Sequence, residues 1–198
     1  MLKQCFITIG LIISASSLAD NNAHQNHGDH HHSASQPAGN QQPHLHGTAE
    51  LTLALEANRL AISLASPAAN IVGFEHTASS ESQKQTVAQA KSLLEASSDM
   101  FTFSGGECHL SQAAADMSAL TERDEDEHHQ HHDEHQNNHS EINASYFFEC
   151  QQGQKLQTVT VNLFHYFTGL ETLNVSWLTD HQQGASELTA NSRVIRLR

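Results

Sequence analysis

The sequence predicts an α+β fold made of two ββαββ-like halves in a pseudo-two-fold arrangement, with antiparallel sheets and one helix in each half. Three observations carry this expectation. Short stretches on either side of the chain's midpoint alternate apolar and polar residues with the period of a half-buried strand. A helix-like stretch interrupts each set of strands. Between the sets lies Glu122 to His139, ERDEDEHHQHHDEHQNNH, which has no aliphatic or aromatic residue and cannot contribute to a core. The resulting organisation is a signal peptide over 1–19, a disordered His-rich tail over 20–43 and a first half over 44–121. A disordered His/Asp/Glu-rich loop over 122–141 and a second half over 142–198 complete it.

The opening MLKQCFITIGLIISASSLA has a basic Lys3, an apolar run from Cys5 to Ile13, and small residues at Ser17 and Ala19. These are the parts of a secretory signal peptide cleaved after Ala19. The apolar run is short for a bilayer span, and no other stretch is a candidate, so no membrane insertion of the mature chain is expected. The tail that follows carries five histidines (24, 27, 30, 31, 32) and Asp29 among Asn, Gln, Ser and Gly, with no apolar period.

The fold begins at His44. In HLHGTAELTLALE, Ala49, Leu51, Leu53 and Leu55 mark one strand face, and RLAISLASP repeats the pattern with Leu60, Ile62 and Leu64. A short turn between them makes a hairpin. SPAAN breaks the alternation, and IVGFEH leads to a helix over about Glu81 to Ser97. Val87, Ala90, Leu93 and Leu94 form its apolar face, with Ser79 or Ser80 as its cap. MFTFSG reads as a strand, and Cys108 to Leu120 as another with weak patterning. In the second half ASYFFECQQ is a strand, and KLQTVTVNLF its hairpin partner with Val159, Val161 and Leu163 on one face. LFHYFTGLETL is a short helix, LNVSWLTDH a strand, and GASELTANSRVIRLR a closing turn and strand or hairpin.

Two cysteines, Cys108 and Cys150, remain after the signal peptide. In an exported chain they suit a disulfide; the alternative is a Cys-containing metal site. Their positions within strand patterns, far apart in sequence, favour the disulfide. The formal charge of −13, with no basic patch outside Arg193, Arg196 and Arg198, excludes nucleic acid as a partner.

The chemistry lies in imidazole and carboxylate, the donors that borderline divalent ions such as Zn²⁺ prefer. His44 and His46, two residues apart on a strand, are expected to project to one face and reach one ion. Glu75 and His76 follow an apolar lead-in that would hold them at the edge of the core. The central segment adds His128, His129, His131, His132, His135 and His139 among seven carboxylates, with spacings that allow many competing ligand sets. Such a segment would bind fast and unselectively, and a folded site would be needed to hold an ion firmly. Since ligation needs neutral imidazole, loop affinity should fall below roughly pH 6. His109, His165 and His181 are scattered and read as structural. A catalytic zinc site needs three fixed ligands, an open position and usually a base. Glu50 or Glu75 are nominal bases, but no HExxH signature occurs, and the chain does not read as an enzyme.

HLHGTAEL, followed by SPAANIVGFEH, resembles the ZrgA-type periplasmic zinc-uptake proteins of Gram-negative bacteria, and the likeness covers nearly all of the mature chain. The resemblance implies Zn²⁺ binding in the periplasm and delivery to an inner-membrane importer, with His44, His46, Glu75 and His76 as the motif residues. Thr77-Ala78-Ser79 stands where a proline is expected in that family. A general periplasmic buffer for Zn²⁺, Ni²⁺ or Cu²⁺, without a transporter partner, is the alternative.

Overall fold

A computed structural model of the chain describes residues 45–96, 98–121 and 140–197. The expected signal peptide, the His-rich stretch over 20–43, His44 and the 122–139 histidines therefore lie outside the described residues. The described residues all belong to one compact unit, Gln42–Arg198.

Among the described residues, nine strands and three α-helices follow in the order β1 (Thr48–Glu56), β2 (Arg59–Pro67), α1 (Ala68–Val72), α2 (Glu81–Ala96), β3 (Phe101–Ser104) and β4 (Cys108–Asp116). After the His-rich segment come β5 (Glu141–Cys150), β6 (Thr158–Val161), α3 (Leu163–Tyr166), β7 (Thr172–Thr179), β8 (Gln183–Thr189) and β9 (Val194–Arg196). They form a six-stranded sheet ordered β4-β5-β2-β1-β7-β8 and a three-stranded sheet ordered β3-β6-β9. Every ladder is antiparallel except that between β1 and β7. The fold is thus mixed α+β, dominated by sheet.

Alternation sets the core. Leu51 and Leu53 of β1, Leu60, Ile62 and Leu64 of β2, and Ile142, Tyr146 and Phe148 of β5 are buried on one face of the large sheet. The small sheet packs against that face: the Phe101 ring of β3 meets Tyr146 and Phe148 edge-on at 5.0 and 6.1 Å. Val87, Ala90 and Leu94 of α2 join the same cluster. At about 1.5–3 kcal/mol per fully buried large side chain, these residues supply the main driving force for folding. The hydroxyl of Tyr146 is buried without a hydrogen-bond partner among the described residues. Burial, and secondarily the nearby Glu95 charge, push its pKa above the usual phenol value.

Most predicted elements form where expected, and local chemistry explains their ends. Ser80 caps α2: its hydroxyl accepts from the Gln83 N–H at 3.2 Å, while the Gln83 side chain accepts from the Ser80 N–H at 3.3 Å, a reciprocal capping box. Leu93, expected on the apolar face, is 39% exposed. The weak patterning of Cys108 to Leu120 has a cause. A register shift between Leu110 and Gln112 interrupts the alternation, and the strand stops at Asp116 before a 3-10 turn, Ser118–Leu120.

Two equivalent halves are not what the ladders display. β1 and β2 are hairpin neighbours, whereas β5 pairs with β2 and β4, and β6 lies in the other sheet between β3 and β9. KLQTVTVNLF is therefore not the hairpin partner of ASYFFECQQ. After Cys150 a 3-10 turn, Gly153–Lys155, is held by a Gly153 N–H bond to the Asn58 side chain. The chain then leaves the large sheet instead of folding back along β5. Strands from both halves interleave in one sheet, and the Cys108–Cys150 disulfide joins directly opposed residues of β4 and β5.

Candidate metal-binding site

Leu45-His46-Gly47 does not enter the sheet as an extended strand. Leu45 and Thr48 close a β-turn, with the Thr48 N–H donating to the Leu45 carbonyl at 3.0 Å, and Gly47 takes φ +82° as its third residue. That left-handed conformation suits glycine and takes His46 out of the strand alternation expected for it, while His44 lies outside the described residues. β1 begins only at Thr48. His46 stands at the turn's exposed corner, its side chain 68% accessible.

Asn70 fixes that corner from below. It is buried in α1, with its carboxamide oxygen accepting from the Gly47 N–H at 2.8 Å. Its amide nitrogen donates to the Thr48 carbonyl at 2.9 Å and to the Ser66 hydroxyl at 3.3 Å. On its other side Gly169 approaches so closely that a Cβ there would lie 2.8 Å from the Asn70 carbonyl oxygen. The Gly47 carbonyl accepts from the Glu171 and Thr172 N–H groups at 2.8 and 2.9 Å, which ties the turn to the start of β7.

α1 ends at Gly73, whose φ of +87° turns the chain back so that Phe74, Glu75 and His76 pass beside the HLHG turn. There the Glu75 carboxylate, only 15% accessible, meets His46 Nε2 at 3.1 Å. Two donors on one tetrahedral zinc, each about 2.0–2.1 Å from the ion, lie about 3.3 Å apart, so the pair needs little adjustment to share an ion. His76 stacks on Phe74 with ring centroids 5.0 Å apart, and its Nδ1 hydrogen-bonds the Thr77 carbonyl at 3.0 Å. Because a carbonyl only accepts, that bond places the proton on Nδ1 and leaves Nε2 of the neutral ring with a free lone pair.

The residues flanking the His-rich segment are tied to the same stretch. Ala78 donates its N–H to the Leu120 carbonyl at 2.9 Å; a proline at that position would lose the bond. On the far side of the segment, the Ser140 hydroxyl donates to the Glu75 carbonyl at 3.1 Å. Ser140 also accepts the Ala68 N–H at its own carbonyl, at 2.8 Å.

Of the predicted site residues, the structure brings His46 and Glu75 into contact and sets His76 next to them in sequence. Among the described residues, no three His, Cys, Asp or Glu side chains group closely enough to hold one ion. His109 lies opposite Glu149 at the far end of the sheet, His165 packs edge-on to Tyr166, and His181 sits in the turn after β7. Sequence reading missed Asn70 and Glu171. Asn70 sits inside the quoted SPAAN motif, and a polar residue within an apolar run was the signal that could have singled it out. Nothing local marks Glu171, which reaches the site only through the parallel β1–β7 pairing.

Fold and motifs together define a small, sheet-built α+β protein in which HLHG, SPAAN and GFEH fold onto one another around a histidine–carboxylate pair. The chain belongs to the ZrgA family of zinc uptake proteins, whose family model matches residues 43–197. No curated protein matches the chain. Membership associates it with zinc and its uptake, a binding and transport role. Among the described residues, no helix is long and apolar enough to cross a membrane.

Proposed function

We propose that this chain is a periplasmic zinc-binding protein that captures Zn²⁺ with its His-rich segments, holds it at a folded His/Glu site, and supports import through an inner-membrane transporter. The observation that carries this reading is the His46–Glu75 contact at 3.1 Å. It stands where the chain arrives from the His-rich tail and where the residues flanking 122–139 are bonded to Glu75 and Ala78. Both His-rich segments therefore join the fold beside one donor pair. His44, in the adjoining residues, and His76 are the nearest further imidazoles in the chain. His128, His129, His131, His132, His135 and His139 serve as the capturing donors. Transfer from many weak sites to one firmer site would then be intramolecular, because both segments are covalently joined to the fold.

Competition titration of zinc against a chromophoric chelator tests the reading on three proteins. These are the mature chain, a form lacking 20–43 and 122–139, and that form with His44, His46 and His76 changed to Ala. One tight site that survives trimming and is lost in the triple variant is the expected result. Loss of all tight binding on trimming would reduce the folded part to a scaffold for the His-rich segments. A deletion strain that grows poorly with a chelator fits import; one that grows poorly only in excess metal fits the buffering alternative for Zn²⁺, Ni²⁺ or Cu²⁺.

A further inference from the structure

We propose that Glu171 is an additional zinc ligand of the His46–Glu75 site, a carboxylate held over Gly47 that turns onto the ion when those two residues take it. The inference rests on the reading of His46 and Glu75 as ligands and adds a residue that the motif does not contain.

Three observations converge on it. The backbone of Glu171 is anchored to the turn that carries His46, because the N–H groups of Glu171 and Thr172 both donate to the Gly47 carbonyl. Its side chain lies folded on that turn: the carboxylate carbon and one oxygen are each 3.2 Å from where a Cβ on Gly47 would be. The residue is also exposed, and among the described residues no hydrogen bond or ion pair engages its carboxylate. A hydrated carboxylate gains little by lying against a glycine, so the side chain is free to turn at small cost.

Reach permits the turn. A Cβ lies about 1.5 Å from its Cα and successive Cα atoms are about 3.8 Å apart, which places the Glu171 oxygen within about 8.5 Å of the His46 Cα. The imidazole itself spans roughly half that distance. Rotation about the glutamate's own torsions is the movement that would bring the carboxylate to the roughly 2.0–2.2 Å of a zinc–oxygen bond.

Charge supplies the reason. Zn²⁺ held by neutral imidazoles and the Glu75 carboxylate alone keeps a net positive charge beside a partly buried wall. A second carboxylate brings the sum to zero. Gly47 then has two duties: its φ forms the turn, and its missing Cβ leaves room for the carboxylate.

The test is zinc competition on the full mature chain, at no more than one equivalent of zinc so that the tightest site dominates, for Glu171→Gln, Glu75→Gln and the parent. Urea midpoints of the zinc-free proteins are measured alongside. Glu171→Gln keeps shape and backbone bonds, so its zinc-free midpoint should equal the parent's. Its zinc affinity should fall by at least about tenfold, since loss of a mere supporting residue already costs that much. Weaker binding by both variants at unchanged midpoints supports the proposal. Parent-like binding by Glu171→Gln beside weakened Glu75→Gln overturns it and leaves the His46–Glu75 site standing. Parent-like binding by both overturns the site reading and the proposal together. A lowered midpoint for Glu171→Gln with weaker binding would assign the residue to structure and overturn its role as a ligand.

Discussion

The two ends of β1 lie about 26 Å apart, eight steps of about 3.3 Å between its nine residues, and they are secured by different chemistry. At the Glu56 end, the turn through Ala57 and Asn58 is held by backbone and turn contacts. Asp180 accepts the Ala57 N–H at 3.0 Å, and the Asn58 carbonyl accepts the Cys150 N–H at 2.8 Å. The disulfide closes β4 onto β5 on the same side of the sheet. At the Thr48 end there is no crosslink among the described residues. A single buried amide, Asn70, bonds Gly47, Thr48 and Ser66, and above it stand the exposed His46 and the partly covered Glu75. Side chains offered to an ion must stay near water, so apolar cover cannot hold them. Rigidity there comes from a hydrogen-bond network one layer below. The other end presents no ligands in this reading and is closed covalently.

That contrast can be broken by experiment, and the largest effect should come from the covalent end. Replacing both Cys108 and Cys150 by Ala should cost about 4 kcal/mol by the loop-entropy estimate for a separation of 42 residues, measured by urea unfolding. Zinc affinity should be unchanged. If it fell with stability, the two ends would be coupled and the division between them would fail. Free thiols titrated in the unreduced protein should number zero.

Asn70→Ala should cost less, about 2–3 kcal/mol, because it strands the buried Gly47 N–H and the polar groups it now joins. Unlike the disulfide variant, it should also weaken zinc binding at least about tenfold, although Asn70 is no ligand. Stability lost with affinity intact would mean that the HLHG turn needs no support to bind.

The smallest effect concerns acid. Lys91 donates to the Ala115 carbonyl at 2.6 Å while Glu95 accepts the Ala115 N–H at 3.1 Å, so the α2 ion pair stands in for a missing neighbour along edge strand β4. The Lys91 hydrogen bond first, and the Ala115 N–H second, hold the Glu95 carboxyl below its ordinary 4.5. Asp116 is likewise lowered, by the Ser118 backbone N–H and then its side chain. A lowered carboxylate pKa contributes stability that is complete above the ordinary value and is lost as pH falls through the lowered one. Stability should therefore decline below about pH 4.5, and Glu95→Gln with Asp116→Asn should flatten that decline in an acid titration. An unchanged slope would show that the edge clamp carries no measurable share.

Much of this was legible in the chain. Leu51, Leu53 and Leu55 announced β1, because alternation reports directly that one face of a strand is buried. Ser80, one of the two candidate caps, announced the start of α2, because a cap is a contact between near neighbours. The disulfide followed from two cysteines in strand-like runs, and HLHGTAEL with SPAANIVGFEH announced the family. The site was only partly legible. His46, Glu75 and His76 stand out by residue type, but the meeting of His46 with Glu75 spans 29 positions and depends on Gly73 turning the chain back.

The sequence by itself determined which strand faces meet the core, where most strands and helices lie, and what donor chemistry the chain carries, since each depends on composition or local spacing. Tertiary structure decided which strands pair: that β6 leaves β5 for β3 and β9, and that β7 runs parallel beside β1. Alternation is blind to the identity of a partner, because any half-buried neighbour satisfies it. For the same reason only the folded chain could put Glu171 over Gly47 and Asn70 beneath it, contacts set by long-range pairing and by the space a missing Cβ leaves open.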